Sequence, residues 1–285
     1  MPVRDGGPFL ADAVSSILGQ TNSDLELIVV DDNSRDGAIQ SLTREDTRLK
    51  IVQSEGRRVS AAFNTGLGHA SGQFLARMDA DDIALPKRIE HQLNYLGCNP
   101  GVAICGGCVE IFANHPIAGG NLRYQYWLNN CRSPETIRRE LYIESPIPNP
   151  TAFFRREALA ELGGYADPDW PEDYDLYLRA DAAGMKMGKP EEVLLRWREH
   201  GNRLTRTDPR YGLEKFQAAK LHYLAASRIA PGTPLLIWGA GPTGALTHDL
   251  LQDEGVGVAG FLEIHPRRIG GRKRDLPVYA LEHLH

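Results

Sequence analysis

The chain has 285 residues, 42% of them hydrophobic and 24% charged, with a formal net charge of -5, the balance of an ordinary globular protein with one large domain or two smaller ones. That charge argues against a general nucleic-acid binder. With no apolar run near the ~18 residues of a membrane span and no signal segment before the first helix, a cytoplasmic location is the default. Of the four cysteines, Cys105 and Cys108 form a C-x-x-C within the apolar run Ile104-Cys105-Gly106-Gly107-Cys108-Val109. No second pair completes a zinc site, so the thiols read as buried, reduced core residues.

In chain order, Met1-Pro2-Val3 reads as the tail of a strand with no strand before it, and the next segment is an amphipathic helix through Phe9, Leu10, Ala13, Val14, Ile17 and Leu18. Leu25 to Val30 has the continuous apolar character of a buried parallel strand, and it ends in Asp31-Asp32-Asn33-Ser34. A short strand at Leu49 to Gln53 is followed by Glu55-Gly56-Arg57-Arg58 and a helix through Ala61, Phe63 and Leu67. The run Gln73 to Met78 then leads into Asp79-Ala80-Asp81-Asp82. Strands alternating with helices imply an α/β fold, a mostly parallel sheet with Asp31, Asp32, Asp79 and Asp81 on the edge where ligands bind. A D-x-D alone reads as well as an acidic turn capping the next helix; a second acidic strand end on the same edge favours a cation site.

Further along, Pro86 opens a helix through Ile89, Leu93 and Leu96, and strands follow at Val102 to Ile104 and Cys108 to Phe112. His115 to Asn130 has no assignable pattern. Ser133-Pro134-Glu135 starts a helix, Pro146, Pro148 and Pro150 hold an extended segment, and Gly163-Gly164 stop the helix after it. Trp170-Pro171-Glu172-Asp173 opens another helix with acids in its first turn, where the positive helix end favours them. The strand Val193 to Trp197 leads to His200, a residue that is structural or reaches a phosphate or metal, and a long helix runs from about Pro209 to Arg228.

Residues 229–234 read as a linker, and the pattern restarts at 235–285. Leu235 to Trp238 is a strand, Gly239-Ala240-Gly241-Pro242-Thr243-Gly244 a G-x-G-x-x-G turn, and Val256 to Leu262 a second strand with Glu263 at its end. This is the order in which a nucleotide such as NAD has its pyrophosphate on the helix start and its ribose on the acid, through Gly239, Gly241, Gly244 and Glu263. Too little chain remains for a full doubly wound domain, so a bound nucleotide there is the minority expectation. The basic cluster Arg267 to Arg274 reads as a solvated loop.

Residues 1–228 resemble inverting glycosyltransferases of family 2, with a GT-A fold. The resemblance rests on Met1-Pro2-Val3, Ser16 to Thr21, Glu26 to Ser34, Ala61-Ala62-Phe63-Asn64-Thr65-Gly66, Asp79 to Asp82, Gly163-Gly164-Tyr165 and Glu172-Asp173, in that order. Relative to the family, the first strand is expected to be missing from the start of the sequence, Arg4-Asp5 stands where Tyr-Asn is usual, and 235–285 lies outside as a partial Rossmann-like segment. The resemblance implies transfer from a nucleotide-diphosphate sugar, UDP-type by preference, to a hydroxyl of a glycan or lipid-linked acceptor. Asp32, with Asp31 beside it, would bind the base; Pro2, Val3, Asn64 and Ala80 would line the donor site. Asp79 and Asp81, with His200, would hold Mg²⁺ or Mn²⁺, and Arg57, Arg58 or His200 would steady the phosphates. Asp173 would be the general base. Envelope polysaccharide synthesis at the inner face of the membrane, by peripheral association, is the setting implied. The alternatives are a nucleotidyltransferase that makes nucleotide sugars, or a non-catalytic nucleotide- or NAD-binding module.

Overall fold

The structure is a computed structural model that describes residues 1–43 and 45–284. Its elements are β1 (Pro2–Val3), α1 (Leu10–Leu18), β2 (Leu27–Asp31), β3 (Leu49–Gln53), α2 (Arg58–His69), β4 (Phe74–Ala76), β5 (Ile83–Ala84), α3 (Arg88–Cys98), β6 (Val102–Cys105) and β7 (Cys108–Phe112). They continue with α4 (Gly119–Asn130), α5 (Pro134–Glu140), β8 (Phe153–Arg155), α6 (Arg156–Glu161), α7 (Glu172–Ala182), β9 (Lys186–Gly188), β10 (Val193–Arg198), α8 (Leu204–Thr207) and α9 (Leu213–Ser227). The last are β11 (Leu235–Trp238), α10 (Pro242–Asp253), β12 (Val258–Leu262), β13 (Arg272–Lys273) and β14 (Leu276–Tyr279). Two compact units result: Met1–Pro168 with Asp175–Thr207, and Asp169–Tyr174 with Asp208–His285.

In the first unit, β1, β2 and β3 form a parallel sheet in that order. The apolar run of β2 is continuous because both of its faces are covered. Leu27 and Val29 join a cluster with Leu10, Ala13, Val14 and Ile17 of α1, while Ile28 and Val30 pack with Ala62 of α2. Each leucine, isoleucine or valine so removed from water is worth roughly 1.5–3 kcal/mol. The helix α1 buries the stripe Leu10, Ala13, Val14, Ile17, spaced i, i+3, i+4, i+7, and ends at Gly19. A second sheet runs β4-β8-β6-β9 and a third β5-β10-β7. The fold is α/β as expected, but these two sheets are mixed: β8 is antiparallel to both β4 and β6. The chain reaches β8 after α4 and α5, through the proline-held segment Pro146 to Pro150.

The stretch without a legible pattern is in fact α4, with only Leu128 fully buried. Tyr124 and Trp127 pack beside Leu128 against the α1 core cluster, and the side-chain amides dock on β7: Gln125 accepts from the Ile111 N–H at 2.6 Å, and Asn129 exchanges two 2.9 Å bonds with the backbone of Val109. Cys105, Cys108 and Cys131 are free and buried, and burial pushes the Cys105 thiol up to about 12. Cys98, expected in the core, is exposed at the end of α3.

The second unit is built on β11-β12-β14-β13, the first three parallel and β13 a short antiparallel return. Ile237, Phe261 and Val278 form its core with Leu221 of α9 and Leu251 of α10. The long helix α9 therefore belongs with the Rossmann-like segment, whereas the sequence reading ended the first domain after it. Gly260 is required where it stands, because a Cβ would meet the Tyr279 ring at 2.7 Å and the Pro277 carbonyl at 2.8 Å. No helix among the described residues is long and apolar enough to cross a membrane.

Candidate functional site

The chain leaves β4 through Arg77 and Met78, both buried, and turns at Ala80-Asp81. Met78 is drawn into the α1 core cluster. Below it the fully buried Arg88 donates to the Arg77 carbonyl at 2.6 Å and to Met78 Sδ at 3.2 Å. This buttress fixes the backbone from which Asp79, Asp81 and Asp82 project. Their carboxylates bring one oxygen each within 4.8 Å of one another, a grouping that could hold a metal ion. Beside them β10 runs antiparallel to β5, with Arg196 opposite Ile83, and that register carries Arg198 and His200 to the acids across more than a hundred residues of sequence.

Each acid has a different partner. Asp79 pairs with the buried Arg77 guanidinium. Asp81 Oδ2 stands 2.8 Å from His200 Nε2; the Asn202 N–H approaches His200 Nδ1 at 3.3 Å, which leaves Nε2 as the nitrogen that donates to Asp81. The Asp81 carbonyl accepts from Arg198 Nε at 2.7 Å. Asp82 Oδ1 accepts the Arg198 backbone N–H at 2.7 Å, while its Oδ2 is buried without a hydrogen-bond partner. Burial, and then the Asp81 charge, push the Asp82 carboxyl well above the carboxylate range. An orphaned buried carboxylate oxygen within a set of three acids suits a hard cation, which takes oxygen ligands. The Arg198 guanidinium stacks over Phe9 at 4.2 Å and Phe112 at 4.6 Å, and Phe9, Arg198 and His200 line a small pocket of about 230 Å³.

A second acidic end closes β2. Pro2 and Val3 pair with Val30 and Asp31, and the Asp32 N–H donates to the Val3 carbonyl at 2.8 Å. Asp31 Oδ1 accepts the Ser34 N–H, three residues on, at 2.8 Å, which ties down the turn after β2. Asp32 is buried with Arg4 at 3.8 Å; that arginine is the residue that departs from the family pattern. Arg57 is exposed just ahead of α2, and Arg58, also exposed, pairs with Asp167 at 3.0 Å.

Asn64 is engaged by the backbone of Tyr165. Its Nδ2 donates to the Tyr165 carbonyl at 2.8 Å and its Oδ1 accepts the Tyr165 N–H at 3.0 Å. A side chain at Gly164, whose φ is +74°, would strike Asn64 Oδ1 at 2.6 Å. The motif Asn64…Gly164-Tyr165 is thus a brace between α2 and the loop after α6. The sequence reading also missed Arg77 and Asp82; the signal for Asp82 was present in the D-x-D-D run, and none pointed to Arg77.

In the second unit, Asp173 Oδ1 accepts the Tyr174 N–H at 2.7 Å in the first turn of α7. Its neighbour Glu172, 1% exposed, accepts from the Tyr211 hydroxyl at 2.9 Å. The glycine turn also forms as expected. Gly239 has φ +106°, and a Cβ on Gly244 would lie 1.8 Å from the Gly239 carbonyl oxygen, so Gly244 admits no side chain. Glu263, however, is consumed by the fold. It accepts N–H groups from Ala240 at 3.3 Å, Ile264 at 2.9 Å and His265 at 3.1 Å, and Arg268 sits 3.1 Å away. Those donors hold its carboxyl down at about 2.

Comparison with known proteins agrees with this geometry. The family described as Glycosyl transferase family 2 matches residues 1–163. An uncharacterized glycosyltransferase of Haemophilus influenzae is 31% identical over 223 residues, 74% of this chain and 67% of the relative. Staphylococcus aureus TarS 1-349, solved in complex with UDP-GlcNAc, shares the fold at a TM-score of 0.65 and 14% identity, covering 88% of this chain and 70% of TarS. The mannosyltransferase PcManGT of Pyrobaculum calidifontis, solved with GDP-Man and Mn²⁺, does so at 0.55 and 20%, covering 89% and 71%. With a GT-A architecture and acids gathered at its strand ends, the chain is a glycosyltransferase and belongs to glycosyl transferase family 2.

Proposed function

We propose that the enzyme moves a sugar from a nucleoside-diphosphate sugar, UDP-type by preference, to a hydroxyl of a glycan or lipid-linked acceptor, with inversion at the anomeric carbon. The observation that carries this reading is the set of Asp79, Asp81 and Asp82 at the end of β4, with one buried oxygen lacking a partner. Asp79 and Asp81 would hold Mg²⁺ or Mn²⁺, with Asp82 completing the oxygen set and His200 positioning Asp81. When bound, the cation neutralises the charge that grows on the departing diphosphate. The Mn²⁺ and GDP-Man held by PcManGT and the UDP-GlcNAc held by TarS support a metal and a nucleotide-sugar donor.

The rest of the chemistry falls to the chain. Asp32, buried at the end of β2, accepts an N–H from the donor base, and Pro2 and Val3 form the floor beside it. Asp173, in the first turn of α7, takes the proton from the acceptor hydroxyl as that oxygen attacks the anomeric carbon from the face opposite the leaving group. One displacement then suffices, with no glycosyl-enzyme. Peripheral work at a membrane surface fits a lipid-linked acceptor.

Titration calorimetry of UDP, GDP and the other nucleoside diphosphates, with and without Mn²⁺, is the test. Binding that needs the cation and is lost in Asp81→Asn is expected. Binding of equal strength in EDTA, or unaffected by that substitution, would sink the proposal. Membership of family 2 favours this reading over a nucleotidyltransferase.

A further inference from the structure

Two acids end β2, and the chain itself takes up one of them. Asp31 Oδ1 accepts the Ser34 N–H at 2.8 Å, and the Asp31 carbonyl accepts the Ser54 N–H at 2.9 Å and Gln53 Nε2 at 2.7 Å. Asp32 is 5% exposed, yet among the described residues its carboxylate accepts no hydrogen bond. Its one ionic neighbour among them is Arg4, 3.8 Å from Oδ2 and beyond hydrogen-bond reach. A carboxylate so enclosed, with its acceptor positions unspent, calls for donors from outside the chain.

Arg4 is set beside it by a pinned turn. The Val3 carbonyl accepts the Asp32 N–H at 2.8 Å. The Asp5 N–H donates to Ser34 Oγ at 3.1 Å, Asp5 Oδ1 accepts the Arg35 N–H at 2.7 Å, and Asp36 Oδ2 accepts the Gly7 N–H at 2.6 Å. Within these bonds Asp5 holds a left-handed φ of +52°, a conformation that a non-glycine residue keeps only where its surroundings impose it. The Arg4 backbone is therefore fixed on both sides, while its side chain is 68% exposed and donates no hydrogen bond among the described residues. A planar fork of N–H donors thus stands next to a carboxylate with unspent acceptors. The two groups are too far apart to satisfy each other and close enough for one flat edge to bond both.

We propose that Arg4 and Asp32 together read the base of the nucleotide donor, and that the edge they take is a ring N–H beside a carbonyl. The N–H donates to Asp32, and the carbonyl oxygen accepts from the Arg4 guanidinium. Uracil, thymine and guanine have that edge. Cytosine and adenine turn a bare ring nitrogen to the carboxylate and an amino group to the guanidinium, so that lone pair faces lone pair and donor faces donor. Arg4 departs from the tyrosine usual in family 2, so this selectivity belongs to the chain's own sequence. The inference rests on the nucleotide-sugar reading above and adds Arg4 to it as a specificity-determining residue.

Titration calorimetry with UDP, GDP, CDP and ADP in the presence of Mn²⁺ is the test, with thermal melting to confirm that each variant folds. The parent is expected to bind UDP or GDP at least about tenfold more tightly than CDP and ADP, and the tighter of the first two identifies the base. Arg4→Ala should weaken that nucleotide roughly tenfold and CDP less than about threefold. Arg4→Lys, which keeps the charge without the fork, should recover only part of the loss. Asp32→Asn, whose amide can donate to a bare ring nitrogen, should narrow the gap between CDP and the preferred nucleotide. Equal weakening of all four nucleotides by Arg4→Ala would assign the guanidinium to the diphosphate and overturn the inference. So would metal-dependent binding that does not rank the bases, a result that leaves the nucleotide-sugar reading standing. Failure of every nucleotide to bind would remove that reading, and the base-reading pair with it.

Discussion

At the end of β4, three carboxylates crowd within 4.8 Å and Asp82 keeps a buried oxygen with no partner. At the end of β12 a single carboxylate, Glu263, accepts from three backbone N–H groups and from Arg268. Both are acids at the carboxyl ends of strands in α/β sheets, the position where such folds bind ligands. Their difference lies in the supply of donors. A carboxylate saturated by its own chain has no capacity left for a ribose, whereas acids that outnumber their donors create a demand for a cation.

Removing a carboxylate from the crowded end tests the contrast most severely. Asp81→Asn is expected to lower transfer by roughly 10²–10³-fold and to abolish the metal dependence of nucleotide binding. A variant that keeps wild-type turnover in the presence of EDTA would place the two strand ends on the same footing. Asp82→Asn separates stability from function at the same end. The amide keeps the Oδ1 bond to the Arg198 N–H and removes the cost of holding a carboxyl that burial and the Asp81 charge push well above its usual range, so Tm in EDTA should rise by a few degrees while activity falls at least tenfold. A fall in Tm would mean that the Asp82 carboxylate is satisfied without a cation.

Asn64→Ala distinguishes a brace from a ligand contact. The substitution severs both bonds to the Tyr165 backbone and should cost about 1–3 kcal/mol, a Tm drop of roughly 3–9 °C, with the nucleotide Kd changed less than about threefold. An unchanged Tm with a tenfold weaker Kd would instead restore the donor-site role that the resemblance implies.

The elements with local signatures were legible in the sequence: the doubly covered run of β2, the α1 stripe, the proline and glycine stops, and the order of acidic strand ends. What was not legible depends on partners distant in the chain. Helix α4 escaped because its short apolar stripe, Tyr124, Trp127 and Leu128, is interleaved with polar residues, two of which, Gln125 and Asn129, bond the β7 backbone. Arg77 reads as an exposed strand residue until its guanidinium is seen beside Asp79. Asn64 falls within a recognisable motif, yet only the placement of Tyr165, 101 residues later, shows what its amide holds. Likewise Glu263 matches the spacing of a ribose-binding acid, and spacing carries no information on how many N–H groups converge on it.

Glu263→Gln gives the smallest expected effect and tests the saturated end of the contrast. The carboxyl is held at about 2 against an ordinary 4.5, so the charged form is favoured by folding. Its contribution is fully present above pH 4.5 and is lost as the pH falls toward 2. Glutamine carries no charge at any pH and keeps one acceptor oxygen of two. The variant should therefore melt a few degrees below the parent at neutral pH, with the gap narrowing steadily as the pH falls below 4.5. Neither protein should gain stability from added NAD, because the acid that would hold the ribose is occupied by Ala240, Ile264, His265 and Arg268. A Tm rise with NAD in the parent that disappears in Glu263→Gln would show that this acid exchanges its backbone partners for a ligand, and the contrast with the end of β4 would then be one of degree.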